Sequence, residues 1–149
     1  MAEASTEEVL LPFLKSFEAA LKVYSVNELH EKLQKYLHKK QDRHQEIEFV
    51  ITQVAKEFKI SRRTLVHSQA RGEIAMARRI CYCLLYFKVG VTTRYIAHSI
   101  FGHKYHSSVS GATVEFKNLN SAVKVDREFL DKYNLIEAKY NEFIANKVI

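Results

Sequence analysis

Apolar residues recur along this chain at spacings of three and four, the period of a helix with one buried face. Thr6 precedes the first such run, in which Val9, Leu10, Phe13, Leu14, Phe17, Ala20, Leu21 and Tyr24 share a face. Pro12 sits in its opening turns and sets the start of regular helix nearby. Ser25 with Glu28 three residues on is a capping-box signature for a second run, Val26, Leu29, Leu33, Tyr36 and Leu37, that extends toward Lys40. Residues 38–45 hold no apolar side chain and mark a domain boundary. A third run carries Ile47, Val50, Ile51, Val54 and Phe58. Ser61 then caps a short helix through Val66, and a basic linker from His67 to Gly72 leads on. Glu73 to Phe87 is too apolar for a surface helix and is predicted to be the central one, with Gly90 placed to end it. Thr92 or Thr93 caps a helix to Ile100, and Phe101-Gly102 turns the chain. Ser107 or a neighbour opens a helix with Val109, Ala112, Val114 and Phe116 as its apolar set. Asp126 caps the last, which carries Phe129, Leu130, Tyr133, Ile136, Tyr140 and Phe143.

With one Pro and four Gly in 149 residues, little interrupts these helices, and the chain reads as all-α. Residues 1–42 form an N-terminal helical hairpin, an element for self-association or for a protein partner. Residues 45–149 form the main helical domain, closed by a C-terminal helix. Tyr24, Tyr36 and the Leu face of the hairpin read as core or as a dimer contact. No run reaches the roughly 18–20 apolar residues that span a bilayer. The acidic start MAEASTEEVLL lacks a signal-peptide layout, so the expected location is cytoplasmic and nucleoid-associated. Cys81 and Cys83, two apart on a helix, point away from each other and read as core-filling thiols.

Charge changes the picture. From Lys59 to Lys104 there are nine Lys or Arg against one acid, Glu73, a local charge of about +8. Residues 1–58 carry about −2 and the remainder about zero, so one middle segment supplies the whole excess of +6. A single-sign field of this kind suits a polyanion surface. Arg62 and Arg63 read equally as part of it or as a solvated face. For Arg78 and Arg79 the competing reading is a salt bridge to Glu73 or to a C-terminal acid.

The same segment has a helix-turn-helix outline, with Thr93–Ile100 as the supporting helix and a second helix opening at His106, Ser107 and Ser108. Hydroxyls and an imidazole can meet bases or phosphates, and free N–H groups at a helix start favour phosphate. Tyr82, Tyr86 and Phe87 read as core rather than base-stacking platforms.

Val54 to Val109 resembles the C-terminal DNA-binding domain of the bacterial replication initiator DnaA. The likeness runs through VAKEFKISRRTLV, an Arg-centred helix IAMARRICYCLL, and IAHSIFGHKYHSSV, close to that family's Phe-Gly-Gly-Arg-Asp-His-Thr-Thr-Val signature. It implies a helix-turn-helix of the initiator or Trp-repressor-like type. It also implies base and phosphate contacts at His106, Ser107 and Ser108, with Lys104 in place of the Arg ahead of them. Arg78 and Arg79 would be outward backbone contacts, and Thr92, Thr93 and Arg94 would lie near phosphate. The chain departs from the family at Tyr105, which stands where the family has Asp. Ser107 and Ser108 lack the Thr methyls, and one extra residue falls between Ile96 and Phe101. Arg71 alone represents the basic loop that reaches the minor groove.

No G-x-x-x-x-G-K-[ST] phosphate loop is present, so no nucleotide or other cofactor is expected. His98, His103 and His106 are too loosely spaced for a metal, and no nucleophile set suggests an enzyme. The leading expectation is a sequence-specific double-stranded DNA-binding protein in replication or transcription control. The alternative is a protein-interaction or assembly module that retains the fold without specific readout. Structured RNA is a weaker third reading, because its major groove is too narrow for a helix.

Overall fold

A computed structural model describes residues 6–147, with side chains from Leu10 onward; Val9 falls outside the described side chains. Among the described residues there are seven α-helices and no strand, so the chain is all-α. The helices are α1 (Thr6–Leu21), α2 (Val26–Glu57), α3 (Arg62–His67), α4 (Gly72–Leu84), α5 (Thr93–Tyr95), α6 (Ser107–Phe116) and α7 (Lys124–Lys147). Two π-helical turns, Leu85–Val89 and Ile96–Ile100, extend α4 and α5. The chain divides into two compact units, Met1–Asp42 and Arg43–Ile149.

In the first unit, α1 passes through Pro12 instead of beginning near it. The capping box forms: the Ser25 amide donates to Glu28 Oε2 at 2.7 Å, and the Glu28 amide donates to Ser25 Oγ at 3.3 Å. The charged stretch 38–45 does not break the backbone. It lies within the 32 residues of α2, because Lys, Gln, Arg and His are compatible with helix and no Gly or Pro intervenes. The apolar faces predicted here are exposed. Phe13 is 63% exposed, Leu33 52% and Tyr36 63%, so they form no core among the described residues of this unit.

The second unit is built around α4. Ala77, Ile80, Cys81, Cys83, Leu84 and Leu85 are fully buried, which fits a helix covered on several sides. That explains how Cys81 and Cys83 both act as core fillers although they point apart. Ile51 and Val54 of α2, Leu65 of α3, Ile96, Val109 of α6 and Ile136 of α7 complete the core. Phe49 and Phe143 stack at 4.2 Å between ring centroids. Phe116 packs on Tyr133 at 4.6 Å and on Phe87 at 5.2 Å.

Four side chains depart from the pattern. Val114 is 62% exposed, and Tyr86 and Phe87 lie partly in solvent, edge-to-face with each other. Both aromatics fall in the π turn, which holds more residues than an α turn and so shifts the buried face. Asp126 does not cap α7, which begins at Lys124. Its carboxylate instead accepts the Asn120 amide at 3.0 Å. The stop at Gly90 is as the pattern predicts: its φ of +78° is left-handed, and its amide donates to the Leu85 carbonyl.

Candidate nucleic-acid interface

The supporting helix starts where Thr92 Oγ1 accepts the Tyr95 amide at 3.2 Å. After one turn of α5 the chain enters the π turn Ile96–Ile100. A π turn bonds i to i+5 and therefore holds one more residue than an α turn. The turn from Ile96 to Ile100 is therefore wider than a regular helical turn. Gly102, with φ +66°, then reverses the chain. The His103 amide donates to the Ala97 carbonyl at 2.7 Å and ties the loop back to the supporting helix.

His103 holds that loop a second time. Its Nε2 lies 3.0 Å from Tyr82 Oη, and its carbonyl lies 2.6 Å from His98 Nδ1. Burial, and then the nearby Arg78 charge, lower the His103 pKa from the ordinary 6.5. Burial raises Tyr82 to about 12. Sequence reasoning read Tyr82 as core but missed this hydrogen bond, because 21 residues separate the partners.

The loop delivers α6 with Ser107 and Ser108 exposed in its first turn. His106 is the N-cap residue and is half-buried, and its side chain makes no capping bond. Beside this helix start lies an open cleft of about 460 Å³, lined by Arg78, Arg79, His103, Ser107, Ser108 and Glu115 among others. The structure thus brings Arg78 and Arg79 of α4 beside the start of α6.

The two arginines differ in availability. Arg78 is buried, at 6% exposure. Its Nε donates to the Leu65 carbonyl at 2.6 Å and its Nη2 to the Ser68 carbonyl. The expectation of an outward Arg78 is therefore corrected, and its bonds run to backbone instead of to an acid. The reason is local: α3 ends at His67 and leaves carbonyls without helical partners, and a cation suits a helix C-terminus. Arg79 is half-exposed and pairs with Glu115 of α6.

The other predicted residues stand on the surface. Arg71, Thr92, Arg94, Lys104 and Tyr105 are exposed, and Thr93 is half-buried. Lys104 Nζ lies 5.2 Å from the Tyr105 ring centroid. Elsewhere in the basic segment, Arg62 pairs with Glu48 and Lys88 with Glu137, whereas Arg63 is exposed beside a shallow depression with His67 and Ile100. Among the described residues, the exposed cations of the segment outside any ion pair are Lys59, Arg63, Arg71, Arg94 and Lys104.

No protein-family model, curated protein or solved structure matches this chain. No helix among the described residues is long and apolar enough to cross a membrane.

Proposed function

We propose that the second unit binds double-stranded DNA through the helix-turn-helix of α5 and α6. One observation carries this reading. The basic segment keeps Lys59, Arg63, Arg71, Arg94 and Lys104 exposed and unpaired, and α6 opens on exposed Ser107 and Ser108 with no side-chain cap. Free amides and hydroxyls at a helix start, with unpaired cations in the same chain segment, suit a phosphate backbone and an adjacent groove. The resemblance of Val54–Val109 to the initiator's DNA-binding domain supports the same assignment, in replication or transcription control.

Roles follow from exposure. Lys59, Arg63, Arg71, Arg94 and Lys104 contact phosphate, together with Thr92 and Thr93. His106, Ser107 and Ser108 face bases, and Tyr105 enters where the family has an acid, so the preferred sequence differs from that family's own. Arg79 reaches phosphate when it exchanges its exposed Glu115 partner, an ion pair that holds weakly in water. Arg78 acts from within, by fixing α4 against α3. Selection from a random duplex pool, followed by titration of the enriched site at several salt concentrations, tests the proposal. Recovery of a common motif with salt-dependent affinity supports it. A pool that stays unenriched at low salt overturns it.

A further inference from the structure

Among the described residues of the first unit, two apolar stripes are left exposed. On α1, Leu10, Phe13, Leu14, Phe17 and Leu21 recur at helical spacing, and on α2 the stripe runs through Leu33, Tyr36 and Leu37. Each of these residues is between 39% and 63% exposed. Together with Val23, Tyr24 and Val26 they expose on the order of 1,000 Å² of apolar surface, against about 800 Å² per partner in a standard interface. In addition, α1 has 16 residues with Pro12 inside, a length that is marginal in water without packing.

We infer that these stripes form the interface of a homodimer, in which α1 and α2 of two copies bury them against one another as a four-helix bundle. Charge favours a second copy as occupant. Residues 1–42 hold six Lys against seven Asp or Glu, a net of −1, so two copies meet without appreciable repulsion. The basic segment lies outside this unit. The spacing also fits: Val26, Leu29, Leu33 and Tyr36 alternate by three and four, the a/d pattern of helices that pack side by side. A two-fold axis lets the same two stripes serve both partners.

Mass measurement on the full chain without DNA tests this independently of the DNA-binding proposal. Sedimentation equilibrium should give twice the 17.3 kDa chain mass at micromolar concentration. The double variant Leu33→Glu, Tyr36→Glu should sediment as monomer while keeping the thermal transition of the second unit. The single variant Lys35→Gln, at an exposed position beside the stripe, should remain dimeric. A wild-type chain that stays monomeric at high micromolar concentration overturns the inference and points to another protein as the occupant. An assembly that survives the double Glu substitution also overturns it.

Discussion

Arg78 Nε lies 2.6 Å from the Leu65 carbonyl oxygen, so a guanidinium on α4 caps the C-terminus of α3 from inside the fold. Together with the bond to the Ser68 carbonyl, it fixes the angle at which α3 meets the central helix. Arg78→Lys keeps the charge but loses the planar fork. Its stability loss in urea unfolding should be about 2–4 kcal/mol, the scale of two buried charge-assisted hydrogen bonds. Arg79→Gln, which breaks only an exposed pair, should cost less than about 1 kcal/mol. Equal stability of the two variants would contradict this division.

The Tyr82–His103 pair predicts a pH dependence with a definite sign. His103 is held below its ordinary pKa of 6.5 by burial and by the Arg78 charge, so the folded state resists its protonation. The unfolded chain binds that proton more readily. Stability from this group is therefore fully present above the ordinary histidine range and declines as pH falls through and below 6.5. His103→Gln should flatten this part of the curve. Parallel stability profiles for the two proteins would remove His103 as the cause.

Two glycines should respond oppositely to one methyl. Gly90 has φ +78°, so Gly90→Ala should cost about 1 kcal/mol. Gly111 lies inside α6 with helical backbone and open space where a Cβ would stand. Gly111→Ala should stabilise the fold by about 0.5–1 kcal/mol. Thermal unfolding of the two variants would check the opposed signs.

The cysteines should be inert in the folded chain. Both are fully buried, and burial raises the Cys83 pKa to about 12 and the Cys81 pKa still further. A thiol reagent at neutral pH should label neither until denaturant is added, and both afterwards. Rapid labelling in native buffer would show that α4 opens locally.

Much of the fold was legible because it rests on local rules. Capping at Ser25, Ser61 and Thr92, and the Gly90 stop, need only neighbours in sequence. Periodicity located the core positions Val50, Val54, Phe129 and Ile136. What sequence could not give were relations between elements. Arg78 looked like an outward cation because α3 and its unpaired carbonyls pack against it only in three dimensions. Helix propensity carries α2 through the charged stretch read as a domain boundary, and the two compact units divide within that stretch, between Asp42 and Arg43. The π turns at Leu85–Val89 and Ile96–Ile100, the first of which shifts Tyr86 and Phe87 toward solvent, have no clear sequence signature. At the candidate site, Arg71, Arg94, Lys104, Ser107 and Ser108 are exposed and Thr93 and His106 half-buried, whereas the Tyr82–His103 hydrogen bond that steadies the loop emerged only from the fold.

The salt dependence of duplex binding tests the central claim most directly. With Lys59, Arg63, Arg71, Arg94 and Lys104 releasing counterions, log affinity against log salt should fall with a slope of about −4 to −5. The double variant Arg94→Gln, Lys104→Gln should reduce that slope by about 2 while leaving the thermal transition unchanged. Absence of duplex binding at low salt, or a slope that these two substitutions leave intact, would contradict it.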